Sequence, residues 1–107
     1  MRNELPLLLG RIRALLEDAH GVASDALLAE IEHTLTDGYA RALVIEGERL
    51  RVERRICELA RELTDLAQAQ ELGALVERLK QADAELDGLR GLLGALSDRA
   101  DAVRAAA

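Results

Sequence analysis

Two glutamate–histidine pairs are the residues in this chain best suited to bind a metal ion. Glu17 precedes His20, and Glu30 precedes His33, by three positions in each case. Residues three apart share a helix face, and Glu-x-x-His pairs of this kind hold two metal ions in some helical bundles. Such ligands must point into the bundle, but the apolar spacing of this chain puts both pairs on outward positions. We therefore expect neither a metal centre nor a cofactor, with these four residues as the metal candidates.

The single cysteine, Cys57, is the one candidate nucleophile that the sequence offers. Arg54 and Arg61 lie about one helical turn from it, and cationic neighbours can activate a thiol. Glu53 and Glu58 are equally close and offset much of that effect. The sequence contains no Gly-rich phosphate loop and no Cys/His set with zinc spacing. We interpret Cys57 as a structural thiol and predict that the protein is not an enzyme.

The composition indicates long helices as the elements that must position these residues. Apolar residues make up 50% of the 107, yet one tyrosine is the only aromatic residue, and charged residues make up 32%. Leu, Ala, Glu and Arg in such excess, with a single proline, are typical of coiled coils and other long helices. No segment has the alternating, β-branched pattern of a strand. The length predicts one domain over residues 1–107.

The charge and the cysteine content bear on partners and compartment. A formal net charge of −6 argues against nucleic acid, whose binding rests on neutralising phosphates. It also argues against an anionic membrane surface. One cysteine cannot form an internal disulfide, and no apolar stretch approaches the ~20 residues that span a bilayer. We expect a cytoplasmic protein with no nucleic-acid or membrane partner.

Apolar residues recur with alternating spacings of three and four along three runs. The last run is Leu72, Leu75, Leu79, Ala82, Leu86, Leu89, Leu93, Leu96, Ala100 and Val103. The middle run is Leu28, Ile31, Leu35, Gly38, Ala42, Ile45, Arg49, Val52, Ile56, Leu59, Leu63 and Leu66. The first run is Leu5, Leu8, Ile12, Leu15, Ala19 and Val22. A period of 3.5 residues sustained this long is the signature of a coiled-coil seam.

The three runs are out of phase with one another, which predicts two turns. Gly21 and Ser24 supply a helix stop and a helix start at the first junction. A reversal at about 66–71 fits the second junction. A break at Asp37 and Gly38 is the competing possibility, but the apolar phase continues through it, so we favour an unbroken helix in which Gly38 costs about 1 kcal/mol relative to alanine.

Together these features predict an all-α fold, an antiparallel coiled-coil helical hairpin. Its helices span about 24–67 and about 71–105, with a short helix over about 5–20 packed on one end. Leu27, Tyr39 and Leu43 widen the apolar stripe near the start of the second helix, where the third partner would lie. Arg49 interrupts the seam, and a polar residue there can fix register or oligomeric state.

The leading functional interpretation is a structural or adaptor protein that associates through its Leu-rich seam. Small cores without aromatic bulk commonly need extra burial, so we expect a homo-oligomer, a dimer above all, or a helical protein partner. The first alternative is a helical chaperone that exposes a groove when its first helix moves. The second is a metal-binding bundle that uses the Glu-x-x-His pairs. The sequence names neither the partner nor the pathway.

Overall fold

The structure, a computed structural model, describes residues 4–17 and 25–106. Its helices are α1 (Leu5–Glu17), α2 (Asp25–Glu62) and α3 (Leu66–Ala106). The other described residues are Glu4 and the turn at 63–65. α2 and α3 form a helical hairpin and α1 packs on one end of it, which confirms the predicted all-α fold. Within the described ranges, no helix combines the length and apolarity needed to cross a membrane.

The chain divides into two compact units, one with three helices and one with two. The first unit contains α1, α2 up to Ala42 and α3 from Gly88 onward. The second contains the remaining parts of α2 and α3, from Leu43 to Asp87, with the turn between them. The prediction of a single domain over residues 1–107 stays a prediction.

The three-helix unit has an aliphatic core. Its buried side chains are Leu5, Leu8, Ile12, Ile31, Thr34, Ala42, Leu89, Leu93, Leu96, Ala100 and Val103. Each fully buried leucine or isoleucine contributes about 1.5–3 kcal/mol relative to an exposed one. Thr34 is the polar member of this set, and Arg11 of α1 donates a hydrogen bond to its hydroxyl at 3.3 Å. Arg11 also pairs with Asp37 at 3.0 Å, so α1 is held on α2 by both apolar and polar contacts.

α2 runs without a break through Asp37 and Gly38, the alternative turn position. Gly38 is buried, and a Cβ built on it would overlap the side chain of Leu93 in α3. The glycine is therefore a point of close contact between the helices. Its predicted cost relative to alanine counts helix propensity alone and stays a prediction, because the neighbouring side chain of Leu93 acts in the opposite sense.

The two-helix unit is thinner and buries fewer side chains. Its buried apolar residues are Ile45, Leu59, Ala82 and Leu86. The other apolar seam residues of its helices, Val52, Ile56, Leu72, Leu75 and Leu79, are half-buried. A pair of helices can cover only one side of each seam, and no third helix of this unit supplies the rest.

The turn between α2 and α3 lies at 63–65 rather than at about 66–71. Asp65 caps α3, because its carboxylate accepts a hydrogen bond from the Gln68 amide at 2.8 Å. Gln68 reaches back with its side-chain oxygen, which accepts from the Thr64 amide at 2.7 Å. This reciprocal arrangement is a variant of the capping box. It starts α3 five residues earlier than the apolar phase predicted.

The earlier turn corrects two of the predicted boundaries. α2 ends at Glu62 and not at about 67, and α3 begins at Leu66 and not at about 71, while its end at Ala106 agrees with the predicted end at about 105. Leu63 and Leu66, which the apolar spacing assigns to the seam, are 45% and 73% exposed. The predicted end of the first helix near 20 and the turn residues Gly21 and Ser24 lie outside the described residues.

Candidate assembly surface

The predicted metal candidates lie on the outside of the helices. Glu17, Glu30 and His33 are exposed, and His20 lies outside the described residues. The imidazole of His33 approaches the carboxylate of Asp37, with 3.6 Å between Nε2 and Oδ2. In residues 4–17 and 25–106 no three potential ligands come together to hold a metal ion. A histidine one turn from an aspartate on an exposed helix face is a surface side-chain contact.

Arg49 connects the two helices of the hairpin. Its Nε donates a short hydrogen bond to Asp83 of α3, and its Nη1 lies 2.9 Å from Glu53 one turn along α2. The hydrogen bond to Asp83, and then the negative charges of Asp83 and Glu53, raise the pKa of Arg49 above its ordinary value. The structure thus brings the predicted register residue together with a carboxylate of the same chain.

Two further ion pairs cross the hairpin on either side of Arg49. Arg78 of α3 lies 2.9 Å from Glu48, and Arg55 of α2 lies 3.1 Å from Glu71. Hydrogen bonds to Glu71 and Glu58 raise the pKa of Arg55. Arg55 lies nearer the turn than Arg49 and Glu48 do, and its partner Glu71 likewise lies nearer the turn than Asp83 and Arg78, as an antiparallel pair requires. Half-exposed pairs contribute little to stability singly, but three in one register disfavour a slipped alignment.

The predicted interaction seam is divided between the two units. In the three-helix unit Ile31, Leu89, Leu93 and Leu96 are buried within the chain, while Leu28 and Leu35 are half-buried. In the two-helix unit Ile45, Leu59 and Leu86 are buried. The five half-buried seam residues of that unit keep part of their apolar surface in water. Seam surface open to another helix is therefore concentrated in the two-helix unit.

A second row of side chains follows the outer side of α2 in the two-helix unit. We call Leu43, Leu50 and Cys57 the outer line, because they stand seven residues apart and all are exposed. Leu43 is 69% and Leu50 51% exposed. The expectation that Leu43, together with Tyr39, widens the core is wrong: Tyr39 is 51% exposed as well. An exposed leucine alone is ordinary, but a row of them at heptad spacing is not.

Cys57 is the third residue of this outer line. It is a free, exposed thiol. It lies in a shallow surface depression with Leu50, Glu53, Arg54, Glu58 and Arg61. The sequence identified its charged neighbours correctly, but not its alignment with two exposed leucines. The spacing of seven residues between Leu43, Leu50 and Cys57 is the signal that identifies the line.

Compared with protein-family models, with curated proteins and with solved structures, the chain gives no match in any of the three. Its function is therefore argued from its own residues.

Proposed function

We propose that this protein is a non-catalytic assembly module, whose two-helix unit associates with further helices in the manner of a coiled coil. The observation that carries the proposal is the burial difference within one seam. The apolar spacing that is mostly buried in the three-helix unit includes five half-buried side chains between Leu43 and Asp87. Additional helices would complete that burial.

The residue types on the open seam support association with helices. Val52 and Ile56 of α2 and Leu72, Leu75 and Leu79 of α3 are aliphatic side chains with heptad-related spacing. This is the pattern that accepts knobs from a neighbouring helix. Covering apolar surface yields about 25 cal/mol for each Å² removed from water. Five partly covered side chains along two helices therefore supply a driving force for association.

The polar residues beside the open seam support a specific partner alignment. Arg49, Asp83 and Glu53 form a connected group at the seam edge. A charged group at a seam disfavours alignments that would bury it without partners. Incoming helices would have to leave this group in water or pair with it. The module is thus expected to assemble in one register rather than by indiscriminate apolar contact.

Mass in solution tests the proposal directly. Light scattering after size exclusion, at several protein concentrations, should give a dimer or larger species with a mass above the 11.6 kDa of one chain. The midpoint of thermal unfolding should rise with concentration, because association stabilises the folded chain by mass action. A monomer at every concentration, with a constant midpoint, would contradict self-association.

A matched pair of variants separates a seam effect from a general change in solubility. Leu75→Ser places a hydroxyl on the half-buried seam of α3, whereas Glu77→Ser changes an exposed position one half-turn away. Leu75→Ser should shift the mass towards the monomer and Glu77→Ser should not. Circular dichroism at 222 nm establishes that both variants remain helical. Equal masses for the two folded variants would exclude the seam as the contact.

A further inference from the structure

The outer line divides α2 into two flanks of opposite charge. Seven residues make almost two helical turns, so Leu43, Leu50 and Cys57 lie nearly above one another. Glu46 and Glu53 lie on one side of this row; on the other side Arg54 lies nearest to it, with Glu58 farther round the helix, as the angle of 100° per residue requires. The row is therefore an apolar stripe with an acidic flank and a basic flank.

The basic flank carries a guanidinium group that can form an ion pair with a partner. Arg54 is exposed and makes no hydrogen bond or ion pair with any residue that the structure describes. Glu53 pairs with Arg49, yet its side chain remains 37% exposed. Gly47 lies on the same flank as Arg54 and adds no bulk there. A partner helix would meet a guanidinium on one side of the stripe and a carboxylate on the other.

We propose that a second copy of this chain occupies the outer line, with the two α2 helices side by side and pointing in the same direction. The inference rests on the self-association proposed above and names a second copy as the partner; the outer line is a contact surface separate from the open seam, because it lies on the other side of α2 from Val52 and Ile56. Each line residue then faces its own counterpart across a two-fold axis parallel to the helices. Leu43 meets Leu43, Leu50 meets Leu50, and Cys57 meets Cys57.

Charge complementarity selects this direction. When two identical helices point the same way about such an axis, the acidic flank of one meets the basic flank of the other. Arg54 then approaches Glu53 of the second copy, and the symmetry repeats the pair on the other side. When the helices point in opposite directions, each flank meets its own kind, and the four carboxylates of Glu46 and Glu53 come together. Like charges at close range disfavour that arrangement.

Cys57 provides a direct test in the unaltered sequence. A disulfide requires Cβ atoms about 3.5–4.5 Å apart, which the side-by-side arrangement supplies at position 57. With diamide as the oxidant, two thiols lose two electrons and two protons to the diamide and form one disulfide. We expect a cross-linked dimer on non-reducing gels, and its loss in Cys57→Ser.

Moving the cysteine measures the alignment of the helices. In the Cys57→Ser background, Leu50→Cys should cross-link at a rate close to that of the native cysteine. Arg51→Cys, exposed but on another face of α2, should react at least about tenfold more slowly, because its Cβ atoms cannot reach disulfide distance. If the helices instead pointed in opposite directions about Leu50, Leu50→Cys would cross-link, but the two native cysteines would stand roughly 20 Å apart.

The outcomes separate this interface from the proposed function. A dimer by light scattering with fast cross-linking at 57 and 50 supports self-association and this interface, and the Leu75→Ser variant tests the open seam separately. A dimer in which 57 and 50 react no faster than 51 overturns this interface and leaves the assembly proposal standing. Cross-linking at 50 but not at 57 overturns the parallel direction. A monomer at all concentrations overturns the interface and the self-association together.

A charge exchange gives an independent readout without cysteine chemistry. Arg54→Glu should weaken dimerisation, because it sets a carboxylate against Glu53 of the second copy. The double variant Glu53→Arg with Arg54→Glu restores opposite charges and should recover most of the affinity. Glu77→Arg, on the exposed surface of α3, serves as the control for net charge. Because Glu53→Arg also removes the pair with Arg49, that single variant is measured as well. If the double variant is as weak as both single ones, the Arg54–Glu53 contact is not part of the dimer.

Discussion

Leu93 of α3 fills the space that Gly38 of α2 leaves beside it. A methyl group on Gly38 would overlap the end of the Leu93 side chain, which is itself 2% exposed and closely surrounded. A small residue opposite a large one lets two helix backbones approach closely, and the leucine acts as the knob. A residue that weakens α2 as an isolated helix thus stabilises its packing against α3.

Gly38→Ala should destabilise the protein by about 1–2 kcal/mol. Overpacking a core costs about 1–3 kcal/mol, and this exceeds the gain of about 1 kcal/mol in helix propensity. Gly91→Ala is the matched control, because nothing lies within 4 Å of a Cβ at that position. It should stabilise the protein by about 0.5–1 kcal/mol. Urea unfolding followed by circular dichroism measures both, and a stabilised Gly38→Ala variant would contradict the close contact.

The position of the turn shows what an apolar pattern can and cannot predict. The apolar spacing marks side chains that are buried where a neighbouring helix covers them, as Leu89 and Leu96 illustrate. Leu63 and Leu66 continue the same spacing, but the chain reverses before they can meet a partner. The local signal was present: Asp65 followed three residues later by Gln68 is a helix-start pattern. Three hydrogen bonds of that cap outweighed the periodicity of two leucines.

Truncating leucines on either side of the turn tests its position. Leu59 is 2% exposed, so Leu59→Ala should cost about 2–5 kcal/mol through lost burial and a cavity. Leu66 is 73% exposed, so Leu66→Ala should change the free energy of unfolding by no more than about 0.5 kcal/mol. Urea titrations at equal protein concentration give both values. Comparable losses would place Leu66 in the core and the turn farther along the chain.

The cap of α3 should be worth about 1 kcal/mol. Asp65→Ala removes the acceptor for the Gln68 amide, and the loss of such a cap typically costs about 0.5–2 kcal/mol. Asp65→Asn keeps an acceptor oxygen and should retain most of the stability. Amide hydrogen exchange supplies the local readout, since Gln68 should lose protection in Asp65→Ala before residues farther along α3. Unchanged exchange at Gln68 would show that the cap is not formed in solution.

Most of the candidate surface could not be predicted from the seam alone. Heptad spacing indicates which residues can line a helix pair, but coverage depends on how many helices are present at each level. The outer position of Glu30 and His33 followed from the phase of the spacing. The exposure of Tyr39 and Leu43 could not be predicted from the spacing, because α1 covers a different side of α2, through Thr34 and Asp37. A sequence pattern gives no angle at which a third helix arrives.

Arg49 and Asp83 should contribute to stability as a pair. A double variant that exchanges their charges should therefore be more stable than either single variant. Arg49→Asp alone sets two carboxylates against each other and should lower the urea midpoint, and Asp83→Arg alone should do the same with two guanidinium groups. The double variant recreates an opposite pair between the helices and should recover part of the loss. Salt at about 1 M should shrink the differences, since it shortens the screening length to about 3 Å.

The direction in which the pKa of Arg49 is shifted determines how its contribution to stability depends on pH. The pKa of Arg49 is raised, chiefly by its hydrogen bond to Asp83. Its contribution to stability is therefore fully present below the ordinary arginine pKa and is lost only as the pH rises through strongly alkaline values. Between pH 6 and 9 the effect of the Arg49 variants on the urea midpoint should be constant.

Lys80 and Glu77 form the control pair for the charge exchange between Arg49 and Asp83, because both are on α3 and their exchange leaves the α2–α3 contact untouched. If the Arg49–Asp83 double variant recovers nothing that the Lys80–Glu77 exchange does not, the two residues do not fix the register of the hairpin.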